Sequence, residues 1–242
     1  MNSSQIANWL TRFKTWAARE PRLLITIGLV TGALWLFVAL SDEVLEQEHH
    51  EFENQILLSL REPADLGNMI GPPWLQSAAA DVSALGGAPV LGLFVLFVLG
   101  YLLISRKIGA MIFVVIATVG GTVLNQVLKH YFQRERPDVV PHLTEYGNYS
   151  YPSGHSMLSA IVYLTLAVVV AEILPTRSGK IYIIATALTL AFLVGLTRVA
   201  VGVHYPSDVL AGWTAGAAWA LLCWIAAHWL RRRNKLGDRP LE

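Results

Sequence analysis

The chain of 242 residues is 54% hydrophobic and only 14% charged, and its mean hydropathy is +0.49. Soluble domains carry roughly 25% charged residues, so this composition excludes an ordinary soluble domain and indicates a membrane protein. The near balance of 18 basic and 17 acidic residues, with Cys223 as the one cysteine, also excludes a disordered chain and a disulfide scaffold.

Six stretches are long and apolar enough to cross a bilayer as helices, because a hydrocarbon core of about 30 Å needs roughly 20 apolar residues in helical conformation. None contains an acidic residue except Glu172, near the end of the fourth stretch. The predicted fold is an all-α integral membrane protein with a bundle of six transmembrane helices. The predicted spans are Leu23 to Leu40, Ala88 to Ile104, Ile108 to Leu128, Ser156 to Leu174, Ile181 to Thr197, and Val209 to Leu230.

The basic residues divide unevenly between the two ends of this bundle. When the loops are assigned alternately from the N-terminus, thirteen of the eighteen lie on one side. Lys and Arg are retained on the cytoplasmic side, so we expect both termini to be cytoplasmic. The external side then holds five basic residues, which are Arg61, Lys129, Arg134, Arg136 and Arg198.

The longest external connection, residues 41–87, holds nine of the seventeen acidic residues. Within it, apolar residues recur at helical spacing and predict an amphipathic helix in the membrane interface. These apolar residues are Phe52, Ile56, Leu57 and Leu60. Two interpretations stay open, namely a solvated acidic helix with a packing stripe and a helix that helps to admit substrate.

We expect a single membrane domain over residues 1–242. Residues 1–22 form a charged cytoplasmic leader, and the span that follows lacks a small-residue cleavage site, which is typical of a retained signal anchor. Residues 231–242 form a basic cytoplasmic tail next to a membrane end, which favours contact with anionic lipids over nucleic acid. No nucleic-acid partner is therefore predicted.

The first of three external clusters follows the third span and contains Lys129 and Arg136, with Pro137 after them. If the helix continues, Lys129 and Arg136 share one face, because seven residues are about two turns. Pro137 disfavours helical conformation at Arg136 and would end the helix there. Two cations on one face can clamp one polyanion. The alternative is a basic collar whose side chains snorkel at the membrane boundary.

The second cluster, Tyr151-Pro152-Ser153-Gly154-His155-Ser156, opens the fourth span. Ser153 is a typical N-cap residue, and Gly154 lets the backbone approach a ligand closely. The free amides and the positive end of the helix would bind an anion, with His155 at the mouth of the site. The alternative is an ordinary helix start.

The third cluster joins the outer ends of the fifth and sixth spans and contains Arg198, His204 and Asp208. Arg can fork onto two phosphate oxygens, and a carboxylate partner holds a histidine in one tautomer. His204 and Asp208 lie one helical turn apart if the helix starts early, whereas Pro206 can displace the start so that Asp208 reaches back from the first turn. The alternative is a structural histidine–aspartate pair. The predicted topology brings all three clusters to one side of the membrane. The set combines cations, a helix N-terminus and two histidines, and it therefore matches the needs of phosphoryl transfer.

In this order the three clusters resemble the three-part signature of the type-2 phosphatidic acid phosphatases, also called lipid phosphate phosphatases. The resemblance spans residues 129–208, and the six-span layout extends it over most of the chain. Thr197 departs from the family pattern, because Ser or Gly usually precedes the arginine. The matching motifs are Lys129-x6-Arg136-Pro137, Pro152-Ser153-Gly154-His155 and Arg198-x5-His204-x3-Asp208.

The resemblance implies a two-step mechanism. His204 would attack phosphorus to form a phosphohistidine, which water then hydrolyses, and Asp208 would orient His204. His155 would protonate the departing oxygen and then activate the water. No metal and no other cofactor is implied. The groups that would hold the phosphoryl oxygens are Lys129, Arg136, Ser153, Gly154 and Arg198.

Among family members, the chain most resembles the bacterial phosphatidylglycerophosphatases B and undecaprenyl pyrophosphate phosphatases. This resemblance implies a metal-independent hydrolase of phosphomonoester or pyrophosphate headgroups on outer-leaflet lipids, such as undecaprenyl pyrophosphate, phosphatidylglycerophosphate and phosphatidate. It also implies the bacterial inner membrane, with the site on the periplasmic side and membrane lipids as partners. The alternatives are a lipid phosphotransferase or lipid A phosphatase of the same family, and a non-enzymatic protein that binds or transports anionic lipids.

Overall fold

The computed structural model describes residues 5, 20–46, 50–144, 147 and 149–237. The predicted leader therefore falls almost entirely outside the described residues, and so does the end of the predicted tail, 238–242. The described helices and strands with defined bounds are, in chain order, α1 (Pro21–Glu46), α2 (His50–Ser59), β1 (Arg61–Glu62), β2 (Asp65–Met69), α3 (Pro73–Ala84), α4 (Ala88–Ile104), α5 (Ile108–Phe132), α6 (Gly154–Ile173), α7 (Arg177–Ala200) and α8 (Pro206–Gly237).

The described helices confirm an integral membrane protein built from a helical bundle. Five of them, α1, α5, α6, α7 and α8, are each long and apolar enough to cross a membrane. The remaining predicted span, α4, has only 17 residues. It qualifies only together with α3, from which it bends by 45°. The count of six therefore depends on treating this bent pair as one span.

Helix α6 is the centre of the bundle, where it packs against α4, α5, α7 and α8. Half of its most apolar stretch is buried inside the protein, a larger share than in the other spans. Helix α8 approaches it closely at two glycines. A Cβ on Gly212 would lie 2.7 Å from the carbonyl oxygen of Ser153, and a Cβ on Gly216 would lie 2.6 Å from that of Met157. Because these glycines have no side chains, the N-terminal end of α8 packs closely against that of α6.

The predicted amphipathic helix of the external segment is present as α2. Phe52 points outward and is 63% exposed, whereas Leu57 is fully buried against Val140, Val199, Tyr205 and neighbouring residues. The helix therefore packs onto the end of the bundle where α7 ends and α8 begins. This packing fits the solvated acidic helix with a packing stripe, and a part of the helix in admitting substrate stays a prediction.

A short antiparallel hairpin, which the sequence did not predict, follows α2. Strand β1 pairs with β2, and Arg61 lies opposite Met69. The Arg61 side chain is buried and donates a hydrogen bond from Nη1 to the carbonyl oxygen of Ala200 at 2.6 Å. A cation at this position satisfies a carbonyl at the C-terminus of α7 and complements the negative end of that helix dipole.

The condition for a shared helix face at Lys129 and Arg136 is not met, because α5 does not continue to Arg136. The helix ends at Phe132, and Gln133 adopts a left-handed conformation with φ of 48°. This geometry is a common way to end a helix. Lys129 and Arg136 therefore do not share a helix face, and Arg136 lies on the loop that leads towards α6. Pro137 is not what ends the helix.

Candidate active site

Lys129 lies in the last turn of α5 and faces the start of α6. A Cβ on Gly154 would lie 3.6 Å from Lys129 Cε and 3.2 Å from Asn125 Oδ1. Gly154 thus leaves room for the side chains of α5 at the N-terminus of α6. The Lys129 ammonium donates hydrogen bonds to the carbonyl oxygens of Tyr149 and Ser150, at 2.8 and 3.4 Å.

Arg136 connects the loop before α6 with the loop before α8. Its Nε donates to the carbonyl oxygen of Gly147 at 2.6 Å, and its Nη2 donates to that of Tyr149 at 3.0 Å. Its Nη1 donates to the carbonyl oxygen of Val203 at 2.6 Å and lies 3.3 Å from Nε2 of His204. The guanidinium of Arg136 therefore contacts the imidazole of His204, although helix α5 ends before Arg136.

Ser153 caps α6 as predicted. Its buried hydroxyl accepts a hydrogen bond from the amide of Ser156 at 3.5 Å, and its own amide donates to the carbonyl oxygen of Asp208 at 2.9 Å. The half-buried His155 follows in the first turn. The backbone of Gly86 lies against it, since a Cβ on Gly86 would be 3.3 Å from His155 Cβ and Cδ2. The break between α3 and α4 therefore forms a wall beside this histidine.

Arg198 is 3% exposed and lies near the C-terminus of α7. Its Nη1 donates to the hydroxyl of Ser83 on α3 at 2.6 Å. Thr197, which departs from the family pattern, donates its hydroxyl to the carbonyl oxygen of Val194 in its own helix at 2.7 Å. Arg198, Arg136 and Lys129 all lie close enough to His155 to act on it electrostatically.

His204 and Asp208 form a buried pair. His204 Nδ1 lies 3.2 Å from Asp208 Oδ2, which also accepts the amide of Tyr205 at 3.0 Å. Helix α8 begins at Pro206, so of the two arrangements left open the structure has the displaced start, with Asp208 in the first turn. An ionised carboxylate can only accept hydrogen bonds, so we assign the imidazole proton to Nδ1. The lone pair of Nε2 then faces the side of Arg136.

Burial lowers the pKa of His204 to about 3. The hydrogen bond and the negative charge of Asp208 oppose this shift, whereas the positive charges of Arg136 and Lys129 reinforce it. The imidazole is therefore neutral at neutral pH, and its Nε2 is available as a nucleophile.

Four helix ends thus contribute to one site, namely the C-terminal ends of α5 and α7 and the N-terminal ends of α6 and α8. The site contains three cations, two imidazoles and the free amides of a helix start. Such a set can bind a phosphate group and offer a nitrogen nucleophile to it. Within the described part of the chain, no three His, Cys, Asp or Glu side chains lie together so that they could hold a metal ion.

Comparison with known proteins decides the family. Residues 90–232 match the family model described as the PAP2 superfamily. Phosphatidylglycerophosphatase B of Bacillus subtilis is 36% identical to this chain over 153 residues, which are 61% of this chain and 73% of that protein. The chain belongs to the PAP2 superfamily.

Further relatives support the PAP2 assignment. The crystal structure of a transmembrane PAP2-type phosphatidylglycerolphosphate phosphatase from Bacillus subtilis matches with a TM-score of 0.75 and 27% identity. The match covers 84% of this chain and 98% of that one. Undecaprenyl-diphosphatase of Sulfolobus acidocaldarius is 36% identical over 118 residues, which are 47% of this chain and 52% of that protein. The predicted family is confirmed.

The PAP2 site also contains residues to which the sequence interpretation gave no role. The sequence predicts Arg134 only as one of the external basic residues, and Glu53 only as one of the acidic residues of segment 41–87. In the structure both are buried, and Arg134 bridges Glu53 and Asp208. Ser83 likewise carried no sequence signal. The nearness of Arg134 to Arg136 could have drawn attention to it, whereas Glu53 lies 81 residues before Arg134 and only tertiary structure joins them.

Proposed function

We propose that this PAP2 protein hydrolyses phosphate headgroups of outer-leaflet lipids through a phosphohistidine formed on His204. The protein is a membrane lipid phosphate phosphatase, a class in which its relatives are named. The observation that carries the mechanism is His204 itself, which has Asp208 on Nδ1 and the positive charge of Arg136 3.3 Å from Nε2. Such flanking groups suit a nitrogen nucleophile whose target is a phosphate.

In the first step, Nε2 of His204 attacks phosphorus and the bond from phosphorus to the lipid oxygen breaks. The proton that the departing oxygen needs comes from His155, which the bound phosphate dianion favours in its protonated form. The attack leaves positive charge on the imidazole of His204. Asp208 stabilises this charge through its hydrogen bond to Nδ1.

In the second step, a water molecule attacks the phosphohistidine and gives its proton to His155. The bond between phosphorus and nitrogen breaks, His204 returns to its neutral form, and inorganic phosphate leaves. No metal takes part in this scheme. The negative charge that develops on the phosphoryl oxygens is stabilised by Lys129, Arg136 and Arg198, together with the α6 N-terminus at Ser153 and Gly154.

The charge distribution supports the location that we propose. The excess of basic residues at the opposite end of the bundle favours cytoplasmic termini and an external site. In a bacterium this corresponds to the inner membrane, with the site on its periplasmic side. The phosphate of an outer-leaflet lipid lies at the surface of the membrane on the same side. Undecaprenyl pyrophosphate, phosphatidylglycerophosphate and phosphatidate therefore form the proposed substrate class.

The test is phosphate release from these three lipids by purified protein, for the wild type and for His204→Ala. We expect the variant to insert into the membrane and to lose release, because it lacks the nucleophile. The matched control is His130→Ala, which removes an exposed histidine at the same end of the bundle. Near-normal turnover in His204→Ala would refute the phosphohistidine. A phosphorylated acceptor in place of free phosphate, detected by mass spectrometry, would instead indicate a phosphotransferase.

A further inference from the structure

Arg134 occupies a buried position on the side of Asp208 opposite His204. Its Nη1 donates to Asp208 Oδ1 at 2.6 Å and to the hydroxyl of Ser207 at 2.7 Å. The guanidinium also lies over the ring of Tyr205, with 4.2 Å between Cζ and the ring centroid. Arg134 is thus fixed on several sides at once, and among His204 and Asp208 its hydrogen bond goes to Asp208, the partner of the nucleophile.

Glu53 completes this arrangement from the external segment. Its Oε2 accepts Nη2 of Arg134 at 2.6 Å, and its Oε1 accepts the amide of Ser207 at 2.8 Å. The Ser207 amide is one of the free donors in the first turn of α8, and a carboxylate there also complements the helix dipole. Glu53 therefore holds both the arginine and the start of the helix that carries Asp208.

The cluster contains one positive charge, on Arg134, and two negative charges, on Glu53 and Asp208, so the two carboxylates share a single cation. Burial opposes the charged form of Arg134, but the negative charges and hydrogen bonds of Asp208 and Glu53 outweigh burial and raise the pKa of this guanidinium. Charge-assisted hydrogen bonds of this length are among the strongest in proteins, and they restrict the directions that a carboxylate can face. Removing Arg134 would leave two buried carboxylates without their cation, whereas removing Glu53 would leave the whole positive charge of Arg134 to Asp208.

We propose that Arg134 and Glu53 are positioning residues that fix the carboxylate of Asp208 and, through it, the ring of His204. This inference rests on the proposed function, because it assigns roles around the same nucleophile. The hydrogen bond from Arg134 to Oδ1 of Asp208 fixes the carboxylate so that Oδ2 accepts the hydrogen bond from Nδ1 of His204. Glu53 shares the positive charge of Arg134, so that Asp208 keeps enough negative charge to stabilise the imidazolium that forms during attack.

The experiment compares Glu53→Gln with Glu51→Gln in the full-length purified protein. Both variants remove one carboxylate from α2, but Glu51 is exposed, whereas Glu53 is buried against Arg134. Steady-state kinetics give kcat and KM, and inhibition constants are measured for inorganic phosphate and for vanadate. Vanadate forms a five-coordinate complex with a histidine nitrogen and so resembles the transition state, whereas phosphate resembles the product.

We expect Glu53→Gln to lower kcat by about tenfold, the lower end of the range known for groups that orient metal-binding histidines through a hydrogen bond. Vanadate inhibition should weaken by a similar factor. KM and phosphate inhibition should stay unchanged, because the groups that bind phosphate remain in place. Glu51→Gln should behave as the wild type. A general loss of structure would not produce this separation of vanadate from phosphate.

Two outcomes would overturn the proposal. One is equal kcat in the Glu53→Gln and Glu51→Gln variants, and the other is a matching rise of KM and of the inhibition constants for both phosphate and vanadate. If Glu53→Gln does not fold, Glu53→Asp decides, because it keeps the charge but is too short to keep both hydrogen bonds, and wild-type kinetics would then refute the proposal. An inactive wild type would refute the proposed function instead.

Discussion

The substitution Gly212→Ala tests whether the close approach of α8 to α6 builds the active site. An alanine Cβ at this position would lie 2.7 Å from the carbonyl oxygen of Ser153, 2.9 Å from Ser156 Cβ and 3.1 Å from the amide nitrogen of Met157. Two of these atoms belong to backbone, so no side-chain rotation can make room. Raising the shortest distance to 3.4 Å requires the helices to separate by about 0.7 Å.

The expected magnitude follows from this displacement. Overpacking of a tight contact costs about 1–3 kcal/mol, which lowers the melting temperature of a protein of this size by about 2–12 °C. The same shift pulls the cap at Ser153 away from Asp208, whose carbonyl oxygen now accepts the Ser153 amide at 2.9 Å. A misplacement of about 1 Å can cost about 100-fold in rate, so we expect kcat to fall by at least about tenfold.

The assays are thermal unfolding in detergent and phosphate release from phosphatidylglycerophosphate. The control is Gly92→Ala, because a Cβ on Gly92 meets nothing within 4 Å inside helix α4. That variant should keep its activity and gain up to about 1 kcal/mol of stability from helix propensity. If Gly212→Ala unfolds and turns over like the wild type, the argument that helix contact sets the site geometry is refuted.

Three further predictions follow from the site. Ser83→Ala removes the acceptor of the buried Arg198 and should lower kcat/KM by about tenfold in steady-state assays, and an unchanged value would contradict a positioning role for Ser83. Because the pKa of His204 is lower in the folded than in the unfolded chain, wild-type stability should fall below about pH 6.5, by at most about 1.4 kcal/mol per pH unit. The His204→Asn variant, unfolded in parallel, should not show this loss of stability. Identical pH dependence of the two proteins would refute the assignment of the loss to His204. EDTA should leave phosphate release unchanged, and inhibition that added metal reverses would contradict the metal-free scheme.

The sequence predicted those parts of the protein that depend on local patterns. The length and apolarity of the spans follow from the thickness of a bilayer, and the N-cap at Ser153 follows from local hydrogen bonding. Both are features of contiguous residues, so one sequence suffices to predict them. Pro137 does not end α5, because the helix stops at Phe132 and Gln133 adopts a left-handed conformation that its residue type does not require.

The sequence by itself determined that the chain is a helical membrane protein and which residues we propose for the chemistry, because the motifs Lys129-x6-Arg136-Pro137, Pro152-Ser153-Gly154-His155 and Arg198-x5-His204-x3-Asp208 are short and local. Only the tertiary structure decided how these groups are supported. Glu53 reaches Arg134 across 81 residues and Ser83 reaches Arg198 across 115, through buried hydrogen bonds of 2.6 Å each. The physical reason is that a buried charge needs a partner, and packing, not spacing along the chain, selects which residue provides it.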